Sequence, residues 1–370
     1  MGCGASVPVD QDALARNAAI DKALATDKER MRREIKLLFL GAGESGKSTI
    51  LKQFQLAYGR PWTELERQDY RDVVFDNALR SMQVVIDALD TFGTTIPPRL
   101  MESVELVMSL GEEPQLSTTG GELRGDVAEA IAALWDFEGT KEAVEMSHEY
   151  QLNDSAEYFF ENVRRLAQVG YLPSDQDILR SRVKASDLGS ASQSTGITEV
   201  QLDIHGTIYR MVDVGGQRSE RKKWLNVFTD VNVLLFVLAI SEYNQMLYED
   251  ESVSRISEAT TLWSSIANSK WFANASIILF LNKVCSFIDL FAQKIKMYKL
   301  SEYLPEFEGP DTYEDAATFL AQRFTELYTN PKRALNVHLT CATDTRQIRT
   351  VLAAVQEQIL SNNLLNAGML

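Results

Sequence analysis

The chain has 370 residues, 45% of them hydrophobic, and a formal net charge of −15 from 37 basic and 52 acidic side chains. This length suits two domains, and so acidic a chain lacks the basic footprint of a general nucleic-acid-binding protein. Three cysteines without C-x-x-C spacing, no apolar run of about 18 residues and no secretory h-region favour a reducing, intracellular compartment.

The N-terminal residues carry a lipidation pattern. The first six, MGCGAS, match M-G-x-x-x-[ST], which predicts N-myristoylation of Gly2, and the adjacent Cys3 is available for palmitoylation. Two acyl chains anchor a protein stably, whereas one binds membranes only marginally. A stretch of small residues without such a role is the alternative. Residues 10–34 then predict a charged, alanine-rich helix that is too polar for a core.

A phosphate-binding loop follows the first apolar strand. The run 35–40 predicts a buried parallel strand. Residues 41–49, GAGESGKST, fit G-x-x-x-x-G-K-[ST] and open a helix predicted over 49–56. In this motif glycines let backbone N–H groups cradle phosphates, Lys47 reaches the β- and γ-phosphates and Ser48 ligates Mg²⁺. The loop alone leaves kinases, ATPases and GTPases open.

Residues 62–172 show helical periodicity and no convincing strand. We assign their apolar stripes to helix cores, for example Phe159, Val163, Leu166 and Val169. A Gly/Ser/Thr-rich loop is predicted over 109–125. The pattern predicts an all-helical block inserted after the first strand and helix.

Strands and helices alternate in the rest of the chain. The predicted strands cover residues 199–204 as an edge strand, 208–212, 233–239, 276–281 and 337–340. This alternation predicts the α/β class, with a mostly parallel sheet covered by helices on both faces.

A second motif, Asp213-Val214-Gly215-Gly216-Gln217, follows the predicted strand 208–212. An acidic residue at a strand end is suited to hold Mg²⁺ through water, Gly216 lets a backbone N–H approach a γ-phosphate, and Gln217 can orient an attacking water. Taken alone, a glycine-rich turn with an acidic cap is the alternative.

Together these motifs resemble the α subunits of heterotrimeric G proteins. The resemblance rests on residues 41–49, 177–184, 213–224 and 340–345, with 248–252 resembling the third switch. It implies a Ras-like P-loop GTPase domain, with a mostly parallel six-stranded sheet, and an inserted all-helical domain. The implied boundaries are residues 1–34 for an N-terminal lipid-anchored helix, 35–61 and 173–370 for the GTPase domain, and 62–172 for the helical domain.

The resemblance also implies roles for individual residues. Arg182 would be the built-in arginine finger and Gln217 would position the water, an arrangement for which Gα proteins are themselves a standard example. The implied magnesium ligands are Ser48, Ser194 (alternatively Thr195) and, through water, Asp213. The implied nucleotide contacts are Gly43, Glu44, Ser45, Gly46, Lys47, Ser48, Thr49, Asp154, Ser155, Leu179, Arg180, Ser181, Arg182, Asp213, Gly216, Asn282, Lys283, Asp289, Cys341, Ala342 and Thr343.

The guanine-reading motif departs from the family pattern Asn-Lys-x-Asp. Here Asn282 and Lys283 are followed by Val284 and Cys285, and a cysteine cannot make the paired acceptor contact of a carboxylate. Asp289 begins the stretch that continues in the family's manner, so residues 285–288 read as an insertion. We favour Asp289 as the guanine reader.

The first switch is also longer than in the family. Nine small or polar residues, 185–193, follow Lys184 before Ser194, which matches the family's Mg²⁺-binding threonine. A longer loop costs more entropy to order around a γ-phosphate. We therefore expect slower hydrolysis or a less ordered GTP state.

The predicted function is a membrane-anchored GTP switch at the cytoplasmic face of the plasma membrane. It would bind GTP or GDP with Mg²⁺, hydrolyse GTP and transduce signals between membrane receptors and effectors. The implied partners are a G protein βγ dimer, a G protein-coupled receptor, a downstream effector and the membrane, with no nucleic acid. The alternatives are a nucleotide-binding scaffold with little turnover and a metabolic P-loop kinase or ATPase.

Overall fold

The computed structural model describes residues 34–111, 116, 122–182, 196–247, 249–284, 290–330 and 335–366. Six strands form one sheet in the order β2-β3-β1-β4-β5-β6. The strands are β1 Glu34–Leu40, β2 Ile197–Ile204, β3 Thr207–Val214, β4 Val233–Ala239, β5 Ser276–Asn282 and β6 Asn336–Leu339.

All pairings in this sheet are parallel except that of the edge strand β2, which runs antiparallel to β3. Every residue of the central strand β4 is buried, as expected for a strand covered on both faces. The predicted α/β class and mostly parallel six-stranded sheet are confirmed. The strands extend one or two residues beyond several predicted bounds because backbone pairing continues past the apolar runs.

Some of the helices cover the sheet, and the others form a separate unit. The described α-helices are α1 Lys47–Tyr58, α2 Glu64–Thr91, α3 Met101–Ser109, α4 Gly125–Trp135, α5 Glu138–Glu145, α6 Ala156–Leu166, α7 Asp175–Arg180, α8 Arg255–Ala267, α9 Leu290–Met297, α10 Leu300–Tyr303, α11 Tyr313–Glu326 and α12 Thr345–Asn366. None of the helices in the described ranges is both long and apolar enough to cross a membrane.

Two apolar layers cover the two faces of the sheet. Side chains that follow one another along β1 belong to different layers. Leu38 packs in a layer with Trp263 of α8 and other residues from α8 and α11. Leu37 faces the opposite layer, which contains Ile50 of α1 and residues of α12. Successive side chains of a strand point to opposite faces, so a fully apolar strand supplies both layers.

A third apolar core lies among α2 to α6 and draws its members from residues 74–171. Phe75, Ile131 and Phe160 are fully buried in it. Since this core is separate from the two sheet layers, the helices form a second unit, as the predicted fold class required. We call it the helical unit, and we call the sheet with its covering helices the sheet unit.

The assignment of Val169 to a helix core was wrong. Helix α6 ends at Leu166, and Val169 is 92% exposed. Gly170, at φ 74°, turns the chain in the left-handed region directly after it. The helical spacing of apolar residues therefore continued past the end of the helix by coincidence. The helix predicted over residues 10–34 lies outside the described residues, apart from its last position in β1.

Candidate functional site

The phosphate loop joins β1 to α1 and needs glycine at two positions. Gly41 and Gly46 have φ of 147° and 98°. A Cβ on Gly41 would lie 2.1 Å from the carbonyl oxygen of Val237, and one on Gly46 would lie 2.2 Å from Nδ2 of Asn282. Gly46 is the N-cap of α1 and has no side chain with which to cap it. The first-turn N–H groups of α1 therefore remain donors for an anion.

Lys47 lies buried at the start of α1 and reaches back over the loop. Its Nζ donates hydrogen bonds to the carbonyl oxygens of Ala42, at 2.7 Å, and Gly41, at 3.1 Å. Burial lowers the pKa of Lys47, although the nearby carboxylate of Asp213 opposes this. The loop thus holds an ammonium group beside the helix N-terminus, where phosphate oxygens would meet both.

Ser48 and Asp213 meet beside this loop. The Ser48 hydroxyl donates a short hydrogen bond to Oδ2 of Asp213, a buried residue of β3. Burial raises the pKa of Asp213, and the charge of Lys47 opposes that rise. Oδ1 of Asp213 is buried without a hydrogen-bond partner among the described residues. A hydroxyl and a carboxylate with an unused oxygen are hard donors of the kind that Mg²⁺ prefers, so these residues fit that ion.

The segment after β3 lies directly against the phosphate loop. A Cβ on Gly216 would lie 2.4 Å from the carbonyl oxygen of Ala42, so only glycine permits this approach. Trp224 Nε1 donates to the carbonyl oxygen of Gly215 at 2.8 Å, which fixes the segment from the other side. Cγ of Gln217 lies 3.6 Å from the position of a Cβ on Gly43, so its side chain stands beside the loop.

Arg182 approaches the loop from the helical side. Its guanidinium, about half exposed, forms an ion pair with the carboxylate of Glu44. The chain leading to it is held by Lys52 of α1, whose Nζ donates to the carbonyl oxygens of Ile178 at 2.8 Å and Ser181 at 3.0 Å. Burial lowers the pKa of Lys52 to about 7.

Asn282 joins the phosphate loop to the loop after β6. Its Nδ2 donates to the carbonyl oxygen of Ser45 at 2.8 Å. Its Oδ1 accepts from Ala342 N–H at 3.0 Å and from the Thr340 hydroxyl at 3.1 Å. Buried polar groups need such partners, so one side chain ties the two loops together.

Lys283 connects the sheet unit to the helical unit. Its ammonium forms short ion pairs with Asp154, from the helical unit, and with Glu242, which follows β4. Burial alone would lower the pKa of Lys283, but the two carboxylates raise it above its ordinary value. Lys283 therefore remains charged and links the two units where it lines the cleft between them.

The structure gathers the predicted site residues around one cleft of about 1240 Å³ between the two units. Ser45 and Cys341 are buried behind its wall. The described site residues that line it are Gly43, Glu44, Gly46, Lys47, Ser48, Thr49, Asp154, Ser155, Leu179, Arg180, Ser181, Arg182, Asp213, Gly216, Gln217, Asn282, Lys283, Ala342 and Thr343. The predictions for Gly2, Cys3, Ser194, Thr195 and Asp289 lie outside the described residues.

Sequence reasoning missed several polar residues of this region. Arg255, at the start of α8, pairs with Glu44 at 2.8 Å and with Glu242 at 3.2 Å. Gln53 Nε2 donates to the carbonyl oxygen of Ala342 at 2.7 Å. Glu242 could have been found, because it follows the buried strand β4 at the edge where ligands bind in parallel sheets. Arg255 and Gln53 carry no comparable local signal.

A phosphate loop with a strand-end aspartate and a Gly-Gly-Gln segment, on this sheet, defines the chain as a P-loop nucleotide-binding protein. The family model described as "G-protein alpha subunit" matches residues 15–359. The chain is 45% identical over 370 residues to the guanine nucleotide-binding protein subunit alpha of Sporothrix schenckii and to that of Cryphonectria parasitica. It is 45% identical over 375 residues to the guanine nucleotide-binding protein alpha-1 subunit of Mycosarcoma maydis. In all three comparisons both chains are covered completely.

The chain therefore belongs to the G-protein α-subunit family. The expectation of a GTP-binding signalling switch, from a family of GTPases, is confirmed at that level. The resemblance in the phosphate loop and in residues 213–217 thus extends over nearly the whole chain.

Proposed function

We propose that the protein hydrolyses GTP in the cleft, with Arg182 and Gln217 as the catalytic residues. The observation that carries the proposal is the pairing of Ser48 with Asp213, a buried carboxylate that keeps one oxygen unused beside the phosphate loop. A buried carboxylate without its full set of partners destabilises the fold, so a functional role accounts for it better than a structural one.

Ser48 would ligate Mg²⁺ directly and Asp213 would hold it through water, with Ser194, or alternatively Thr195, as a further ligand. The ion supplies positive charge that neutralises the phosphate oxygens. Lys47 and the N-terminus of α1 bind and orient those oxygens, because both direct N–H donors into the same side of the loop. This half of the site binds and orients the nucleotide and neutralises charge on its phosphates.

Arg182 and Gln217 would act on the reacting atoms. The transition state of phosphoryl transfer spreads negative charge over equatorial oxygens, where a preorganised guanidinium lowers the barrier. Arg182 pairs with Glu44 of the phosphate loop itself, so its guanidinium is already close to that position. Gln217 beside Gly43 is suited to hold the attacking water.

Single-turnover hydrolysis of preloaded GTP tests these roles. We expect Arg182→Ala and Gln217→Leu each to slow the chemical step by about 10³-fold, the lower range for an arginine finger. Arg164→Ala is the matched control, because the partners of this exposed arginine among the described residues are carboxylates of the helical unit. Wild-type hydrolysis in both active-site variants, with GTP bound, would contradict the proposal.

We assign guanine recognition to Asp289, with Asn282 holding the neighbouring loop. ATP should compete at least about 100-fold less well than GTP, because a site built for a particular hydrogen-bonding pattern rejects ligands that lack it. Asp289→Ala should remove most of this preference, and Cys285→Ala should leave it unchanged. Equal binding of ATP and GTP by the wild-type chain would refute the assignment and favour a broader nucleotide specificity.

Family membership also supports proposals for the domain bounds, the membrane anchor and the partners. We assign residues 35–61 with 173–370 to the GTPase domain and 62–172 to the helical domain, and residues 1–34 to an acylated helix at the cytoplasmic face of the plasma membrane. A βγ dimer, a receptor and an effector would be its partners. Loss of vesicle binding in Gly2→Ala, which blocks myristoylation, tests the anchor.

The insertion 185–193 should slow hydrolysis. An unchanged single-turnover rate after its deletion would reject that idea.

A further inference from the structure

Asn77, a buried residue of α2, binds the backbone of Arg182 at both of its polar groups. Nδ2 of Asn77 donates to the Arg182 carbonyl oxygen at 2.9 Å. Oδ1 of Asn77 accepts from the Arg182 N–H at 2.8 Å. A single side chain from the helical unit therefore satisfies both the backbone N–H and the backbone carbonyl of Arg182, as a neighbouring strand would in a sheet.

The amide of Asn77 is fully used by this arrangement. Nδ2 also donates to the carbonyl oxygen of Val73 at 2.8 Å, and Oδ1 accepts a long hydrogen bond from Nδ2 of Asn153 at 3.3 Å. With the amide reversed, its oxygen would face two carbonyl oxygens and its nitrogen would face two donors. The partners thus determine the orientation of the amide. An ionised aspartate could accept both hydrogen bonds but could donate neither.

The segment before Arg182 is held from its other side as well. Lys52, from α1 of the sheet unit, donates to the carbonyl oxygens of Ile178 and Ser181. Residues 178–182 are therefore held between helices of two different units. The side chain of Arg182 remains about half exposed, so its backbone is the part that these contacts restrain.

We propose that Asn77 is a positioning residue for GTP hydrolysis, which fixes the backbone of Arg182 so that the guanidinium starts close to the transferring phosphoryl group. The inference rests on the proposed role of Arg182. Fixing the backbone removes conformational freedom that would otherwise be lost in the transition state. Asn77 is not among the residues that line the cleft, so it would act through Arg182.

The size of the effect follows from geometry. A displacement of about 1 Å in a catalytic group costs about 10²-fold in rate. Without the two hydrogen bonds of Asn77, Arg182 keeps its charge, and Lys52 still holds the carbonyl oxygens of Ile178 and Ser181 before it. We therefore expect Asn77→Ala to slow single-turnover hydrolysis by about 10- to 100-fold, less than the loss of Arg182 itself.

A double-mutant cycle in the full-length chain tests the coupling. Single-turnover hydrolysis is measured for wild type, Asn77→Ala, Arg182→Ala and the double variant, each preloaded with GTP and Mg²⁺, with bound GTP quantified. Asn162→Ala is the matched control. Asn162 also donates from its helix to the carbonyl oxygen four residues earlier, that of Tyr158, but it bonds to Arg165 and not to Arg182.

Positioning predicts that Asn77→Ala slows hydrolysis and that the double variant is no slower than Arg182→Ala alone. Asn162→Ala should hydrolyse at the wild-type rate. A normal rate in Asn77→Ala, or an equal loss in the presence and absence of Arg182, would overturn the inference. If Arg182→Ala itself hydrolyses GTP normally, the proposed function fails instead, so the two failures are distinguishable.

Asn77→Asp supplies a readout that a purely structural role would not move. Its ionised carboxylate would face the carbonyl oxygens of Val73 and Arg182, whereas its protonated form can donate to one of them. The ratio of its hydrolysis rate to that of wild type should therefore rise as the pH is lowered. A ratio that is independent of pH would argue against a hydrogen bond from residue 77 to Arg182.

Discussion

Two buried aspartates, one on α7 against the helical unit and one on β3 of the sheet unit, have opposite environments. Asp177, at the start of α7, accepts hydrogen bonds from Arg165, Tyr158 and Ser174. Burial would raise its pKa, but these donors lower it to about 2. Asp213 of the sheet unit has one oxygen without a partner among the described residues, and burial raises its pKa.

The difference separates a structural carboxylate from a functional one. Asp177 is surrounded by donors from the protein and holds α7 against α6. Asp213 is buried with Ser48 and Lys47 nearby. Its remaining oxygen has no partner among the described residues, as expected for a group that binds an external ligand. Strongly perturbed, incompletely paired groups in a cleft are candidates for function, whereas saturated ones usually stabilise the fold.

Glycine substitutions should show the largest contrast between the two units. Gly41→Ala would place a Cβ 2.1 Å from a backbone oxygen at φ 147°, so we expect a loss of about 4 kcal/mol from overpacking and strain. Gly170→Ala in the helical unit has φ 74° but nothing within 4 Å of its Cβ, so it should cost about 1 kcal/mol. Urea denaturation measures both, and equal losses would contradict the steric argument.

Buried asparagines should give the next largest difference. Asn282→Ala leaves Ser45, Thr340 and Ala342 without the partner that joins their loops, and we expect a loss of about 2–3 kcal/mol. Asn162 of the helical unit is half-buried and bonds to the carbonyl oxygen of Tyr158 and to Arg165. Asn162→Ala should therefore cost about 1 kcal/mol. Thermal denaturation of both variants under one buffer condition makes the comparison. A smaller loss for Asn282 would mean that water replaces its bonds.

The pH dependence of Asp177 should be the smallest of these effects. Its folded-state pKa, about 2, lies below the ordinary value of about 3.9. The contribution to stability is therefore present above pH about 3.9 and is lost as the pH falls through about 2, and we expect about 1–2 kcal/mol after solvent screening.

Asp177→Asn is the variant that checks this dependence. It should be less stable than wild type at neutral pH, because Arg165 loses its charged partner. The difference between the two proteins should narrow as the pH falls below about 4. A constant difference between them across that range would show that the charge of Asp177 is not responsible.

Local patterns predicted the sheet and the phosphate loop well. Apolar runs such as 233–239 identify buried strands because every residue of a doubly covered strand must be apolar. Residues 41–49 identify the loop because its backbone conformation and packing demand glycine at particular positions. The error at Val169 arose from the same kind of pattern, since periodicity does not mark where a helix ends.

Contacts across the cleft were beyond local patterns. Asn77 and Arg182 are 105 positions apart, and Lys283 is 129 positions from Asp154. Each residue by itself looks like an ordinary polar position on a helix or loop. The resemblance supplied a role for Arg182 and Lys283, but it supplied none for Asn77, Lys52 or Arg255.

By itself, the sequence determined the α/β class, the glycine-dependent phosphate loop and the acidic residue at the end of β3, because each depends on neighbouring residues and backbone stereochemistry. The tertiary structure alone decided which polar groups are left without partners and which are saturated. It also decided that an amide of the helical unit holds the backbone of Arg182. Such partnerships depend on the packing of two separate cores, and packing brings together residues whose spacing along the chain carries no signal.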